Sequence, residues 1–98
     1  MELALREARA AFEREEVPVG AVVVRGNELL GAAGNQVEAL VDATAHAEML
    51  ALTQAFAAAG EKRLEQAELY CTIEPCLQCA GALLHARVRR VVYGTADP

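Results

Sequence analysis

Two short stretches hold side chains whose types and spacing can do chemistry. In Thr44-Ala45-His46-Ala47-Glu48, an imidazole stands two residues before a carboxylate. In Pro75-Cys76-Leu77-Gln78-Cys79, two thiols stand three residues apart. Each stretch falls where the surrounding pattern predicts the start of a helix. Cysteines three apart in a first helical turn lie on the same side and can share one metal. The partial positive charge of a helix N-terminus favours the thiolate, which is the ligating form. His46 and Glu48 would point about 200° apart on a regular helix. Both reach one site only if it lies ahead of the helix end, close to its axis.

One imidazole and two thiolates make three ligands. A structural zinc site normally closes with four protein ligands, whereas a catalytic one keeps the fourth position for water. A carboxylate held nearby without ligating, here Glu48, would act as the base. Zinc lowers the pKa of water in that position toward about 7. Taken alone, Cys-x-x-Cys is a weak signal that fits half a structural zinc site or a thioredoxin-like redox pair between a strand and a helix. Other residues carry plainer readings. Cys71 reads as a small buried residue of an apolar strand. Glu74 reads as a cap for the helix that follows it. Asn35, after Gly34, reads as a turn residue. His85 stands nearly two turns from Cys79, which argues against its closing the site as a fourth ligand.

The elements that must position these residues can be read from pattern. Leu5, Ala8 and Phe12 form one stripe of an amphipathic helix over residues 2–16, ended by Pro18. Val19 to Val24 is a β-branched run suited to a buried strand. Arg25-Gly26-Asn27-Glu28 turns the chain into a hairpin partner, Leu29 to Ala33. A loop follows to Thr44, a plausible N-cap for a helix running to Ala59 with Met49, Leu52 and Phe56 on its inner face. Gly60 ends that helix as a left-handed cap. Ala67 to Ile73 is a strand, Pro75 opens a helix to Ala86, and Val88 to Gly94 is the last strand. Two strand–helix–strand crossovers imply parallel pairing in the second half. The expected class is α/β, a mixed sheet of four strands with helices on its faces.

Composition sets the outer bounds. The 98 residues fit one domain, and 21 of the apolar residues are alanines, which bury little area each. A bound metal or partner subunit would help hold so thin a core. A net charge of −5 gives no whole-protein attraction to a phosphate backbone. The basic cluster His85, Arg87, Arg89 and Arg90 reads first as a solvated helix end. Residues 1–16 carry no signal core, and no apolar run approaches the roughly 20 residues of a membrane span. Three clustered cysteines without a signal peptide suit metal or redox chemistry in a reducing compartment, with the cytoplasm as the default location.

Further stretches extend the pattern: Glu16-Val17-Pro18-Val19-Gly20-Ala21-Val22, Glu74-Pro75-Cys76, Cys79-Ala80-Gly81-Ala82, His85 with Arg87, and Val91-Val92-Tyr93-Gly94. With His-x-Glu followed by Pro-Cys-x-x-Cys, the sequence resembles the zinc-dependent cytidine/deoxycytidylate deaminase superfamily. Within it, the sequence is most similar to bacterial members acting on adenosine in tRNA. The resemblance implies a three-layer α/β/α cytidine-deaminase-like fold with a four-stranded mixed sheet. Residues 1–98 would form one deaminase domain, with the family's fifth strand and C-terminal helix absent. It implies one zinc per chain held by His46, Cys76 and Cys79. Glu48 would carry protons while an amino group is lost hydrolytically from a base. Asn35 and the backbone N–H of Ala47 would hold that base. The implied reaction is adenosine to inosine at the tRNA wobble position, with an anticodon loop as partner, a homodimer as assembly and no membrane. Two alternatives stand beside it: deamination of a free base or nucleoside (guanine, cytosine or cytidine), and a truncated, non-catalytic zinc-binding subunit. Asp97 matches an acidic position near the nucleotide in the resembled tRNA enzymes.

Overall fold

The β-branched run after Pro18 forms β1 (Gly20–Arg25), and Gly26, at φ 61°, turns the chain into β2 (Glu28–Gly34). That left-handed φ is open to glycine at no steric cost. The two strands pair antiparallel from Gly20↔Gly34 to Arg25↔Glu28, with an irregularity between Val23 and Val24. β3 (Glu68–Ile73) pairs antiparallel with the other side of β1, and β4 (Arg90–Thr95) pairs parallel with β3. The sheet order is therefore β2-β1-β3-β4. This computed structural model describes residues 1–95, and Asp97 lies outside the described residues.

The mixed sheet of four strands is as the sequence implied, with one refinement. Both crossovers join strands that run the same way, but β2 and β3 do not pair, because β1 lies between them. Helix α1 (Glu2–Glu13) covers one face of the sheet. Helices α3 (Ala47–Ala59) and α4 (Leu77–Ala86) cover the other, around a core that includes Ala21, Val23, Leu52 and Leu69. The stretch expected to be all loop contains a four-residue helix, α2 (Val37–Leu40).

Two helix faces differ from expectation for one reason. α1 buries Ala4, Ala8 and Ala11, while Leu5 and Phe12 face solvent. Opposite it stand Gly20 and Gly34. A Cβ at Gly20 would collide with the Ala4 carbonyl oxygen, and one at Gly34 would crowd the Glu7 carbonyl. The helix backbone lies almost on the strands, and only small side chains fit between. α3 repeats the device, with Gly31 under the Ala51 carbonyl. It buries Ala47, Ala51, Ala55 and Leu52, leaving Met49 and Phe56 half-buried. Among the described residues, eleven of the twenty buried apolar ones are alanine, so close backbone approach substitutes for large side chains.

α1 stops at Glu13, earlier than the pattern to residue 16 suggested. Glu15 takes a left-handed φ of 63°; its N–H bonds Phe12 O at 3.0 Å and that of Glu16 bonds Ala11 O at 2.9 Å. These paired bonds close a helix C-terminus, here without glycine. Gly60, at φ 67°, ends α3 as expected. No helix among the described residues is long and apolar enough to cross a membrane.

Candidate metal and catalytic centre

His46 occupies the N-cap of α3 in an extended conformation, φ −73° and ψ 152°. The imidazole therefore stands outside the helix, which removes the 200° conflict with Glu48. Glu48 sits at the second helical position and is 4% exposed. Thr44, expected to cap this helix, is engaged two residues earlier. Its N–H and hydroxyl both donate to Asp42 Oδ1, at 2.8 and 2.7 Å. Those bonds hold the Asp42 carboxyl below the usual carboxylate range.

The second opening repeats the first. Cys76 is the N-cap of α4, extended at φ −70° and ψ 174°, and Cys79 is the third helical residue, fully buried. Pro75 and Glu74 precede the cap, so the helix begins two residues later than its proline suggested, and Glu74 is not at the capping position. The two openings face one another. His46 Nδ1 lies 3.4 Å from Cys76 Sγ and 3.6 Å from Cys79 Sγ. All three donor atoms fall within 4.8 Å of one another. Tetrahedral zinc, with bonds of about 2.3 Å to sulfur and 2.0–2.1 Å to nitrogen, sets sulfur and nitrogen ligands about 3.6 Å apart. The donor set is therefore positioned to bind one zinc ion. Among the described residues, this cluster includes neither Glu48, Cys71 nor His85, so the side chains supply three ligands.

Burial shapes the charge at this centre. It raises the Glu48 carboxyl above its ordinary range, partly offset by its own backbone N–H, His46 and the Cys79 thiol. Burial, and then the nearby Glu48 charge, push the Cys79 thiol well up. The same two causes push Cys71 to about 12, in keeping with a buried, neutral, non-ligating thiol. A buried thiolate beside a carboxylate requires a cation, so metal binding here must release protons.

A cleft of about 440 Å³ opens beside the ligands, walled by His46, Glu48 and Cys76 with the apolar Val17, Val19, Val37 and Ile73. Asn35 also lines it and is buried. Its Oδ1 accepts the Val37 N–H at 3.0 Å, so the amide NH₂ is the group left for a ligand. Ala47 is fully buried and opens α3, where first-turn N–H groups have no intrahelical acceptor. Sequence reasoning assigned no role to Gln78, whose Nε2 donates to Thr44 O at 3.2 Å and ties the two openings together. Nor did it assign one to Glu16, a buried carboxylate at the cleft wall. Neither residue has partners at a spacing a motif could reveal. In the basic cluster, Arg89 and Arg90 pair with Glu68 of β3, whose carboxyl is lowered chiefly by the Arg89 hydrogen bond.

Residues 1–95 match the family described as the cytidine and deoxycytidylate deaminase zinc-binding region. A tRNA-specific adenosine deaminase of Agrobacterium fabrum is 51% identical over the whole chain, which spans 64% of that protein's length. A solved structure from studies of A-to-I editing by tRNA:A34 deaminases at the wobble position superposes with a TM-score of 0.96 at 51% identity. That match covers 100% of this chain and 71% of the other. The guanine deaminase of Bacillus subtilis superposes with a TM-score of 0.93 at 32% identity, covering 97% of this chain and 61% of the other.

Proposed function

Because the chain belongs to the cytidine and deoxycytidylate deaminase family, we propose that it catalyses hydrolytic deamination of adenosine to inosine at the tRNA wobble position. The observation that carries this reading is the convergence of His46, Cys76 and Cys79 donors beside a buried Glu48, with a base-sized cleft over them. His46, Cys76 and Cys79 would hold the zinc. Bound there, zinc supplies a water acidified toward about pKa 7 at its open position.

The chain's own residues do the rest. The base enters between Val17, Val19, Val37 and Ile73, and the apolar walls exclude bulk water. The Asn35 amide and the Ala47 N–H hold its polar edge. Glu48 takes a proton from the attacking water and delivers it to the ring nitrogen beside the amino-bearing carbon. As the C–N bond breaks, it carries a second proton from the hydroxyl now on that carbon to the amine; the carbonyl forms and ammonia departs. A carboxyl raised by burial is suited to giving protons back as well as taking them. Thiol ligands suit a reducing compartment, which supports a cytoplasmic location. Leu77 and Leu84, exposed on α4, support a homodimer, which sedimentation of the zinc-loaded chain would test.

A second reading, deamination of a free purine such as guanine, rests on a specific observation. Among the described residues, Glu16, Glu38, Glu48 and Glu74 line the cleft and no Lys or Arg does, a poor field for a polyanion. Incubating the zinc-loaded chain with tRNA, adenosine, cytidine and guanine, and following inosine and ammonia, separates the two. Inosine in tRNA alone supports the first reading; turnover of small bases alone replaces it with the second.

A further inference from the structure

The roof of the cleft, from Asn35 to Ala45, is held by a side chain distant in sequence. The left-handed Glu15 ends α1 and turns Glu16 inward, where it is 5% exposed. Glu16 Oε1 accepts the Glu38 N–H at 3.0 Å and Oε2 accepts the Ala39 N–H at 2.8 Å. Asn35 Oδ1 accepts the Val37 N–H. The first three N–H groups of α2 therefore all end on side-chain oxygens from outside it. A helix of four residues cannot hold itself in water, so these bonds set where it stands. The roof is then closed by its own backbone. Asp42 N–H bonds Val37 O at 3.1 Å, Ala45 N–H bonds Asp42 O at 3.0 Å, and Gln36 N–H bonds Ala45 O at 3.0 Å. The next residue is His46.

We propose that Glu16 is a positioning residue for the reaction. Its carboxylate holds the roof, and through it the Asn35 amide, at the height and register the base requires above the metal ligands. The inference rests on the reading of the cleft as a base pocket. Two acceptor oxygens meet two backbone donors, a pairing only a carboxylate can supply. Glutamine offers one oxygen and one NH₂, so one bond is lost and two donors are set face to face. Aspartate keeps both oxygens and falls one methylene short.

The test compares zinc-loaded wild type, Glu16→Gln and Glu16→Asp by zinc content, amide exchange at Glu38 and Ala39, and steady-state kinetics on whichever base-containing substrate the wild type turns over. In Glu16→Gln, exchange at both amides should accelerate about tenfold or more, matching loss of a charge-assisted bond. Zinc content should hold. KM should rise about tenfold with kcat changed less than about threefold, the pattern of lost uniform binding. Glu16→Asp should recover part of both effects. Unchanged exchange overturns the proposal, as does a fall in kcat at constant KM, or an exchange increase spread evenly over the whole chain. If Glu16→Gln does not fold, Glu16→Asp carries the same comparison with the same criteria. If the wild type turns over no base, the functional reading falls, and exchange at Glu38 and Ala39 alone decides whether Glu16 holds the roof.

Discussion

The two helices that open onto the centre begin alike and are anchored differently. Each puts a metal-capable side chain at its N-cap in extended backbone. α3 then lays Ala47, Ala51, Ala55 and Leu52 against β2 and β1, nearly all fully buried. α4 buries only Cys79, Leu83 and Ala86, and leaves Leu77 91% and Leu84 79% exposed. The proton-carrying candidate thus stands on the helix braced by the sheet, where a fixed position matters most. The thiols stand on the helix held more thinly, tied across by Gln78 to Thr44. A metal between the two openings would staple the second helix to the first, so binding energy there is also folding energy.

The sharpest test of this division separates chemistry from metal. Glu48→Gln on α3 should keep its zinc and lose about 10²- to 10⁴-fold in turnover, whereas Cys79→Ala on α4 should lose zinc and turnover together. Metal analysis beside kinetics reads both, and zinc loss in the Glu48 variant would break the comparison. Packing should show the same contrast. Leu52→Ala, in the core under α3, should cost about 2–5 kcal/mol in denaturant unfolding. Leu84→Ala, on the outer face of α4, should stay within about 0.5 kcal/mol when unfolding is followed on the monomer, diluted below the concentration at which it pairs.

Metal removal should act unevenly. After chelation, amides of α4 should exchange on the order of 100-fold faster while those of α3 change much less. Equal acceleration would show that both helices rest on the same support. The smallest effect concerns charge. Burial raises the Glu48 carboxyl in the folded chain. Any stability tied to its protonated form is present at pH below the unfolded value and is lost as pH rises through the folded one. Metal-free Glu48→Gln should therefore melt at a higher temperature than metal-free wild type at about pH 7. The gap should close as pH falls below about 4.5.

The sequence exposed the donor types, the strand runs and the Gly60 stop, because each is carried by residue chemistry alone. It misplaced both helix starts for a physical reason. N-caps are ordinarily Ser, Thr, Asp or Asn, whose oxygens satisfy first-turn N–H groups. Here His46 and Cys76 hold those positions and make no side-chain capping bond; their side chains turn toward one another. Local preference gives way where a site is built. The α1 stripe was misread because Leu5 and Phe12 dominate a hydrophobicity pattern, whereas Gly20 and Gly34 admit only alanine. Glu16 heads one of the stretches that carry the family pattern, but its role was illegible because its partners are backbone N–H groups 22 and 23 residues away, and backbone groups leave no trace in a motif.

X-ray absorption at the zinc edge tests the central claim most directly, on the zinc-loaded chain and on Glu48→Gln. Three side-chain ligands and an open corner predict two sulfurs at about 2.3 Å and two nitrogen or oxygen neighbours at about 2.0–2.1 Å, the same in both proteins. A third sulfur, or a light neighbour that disappears with the Glu48 carboxylate, would contradict it.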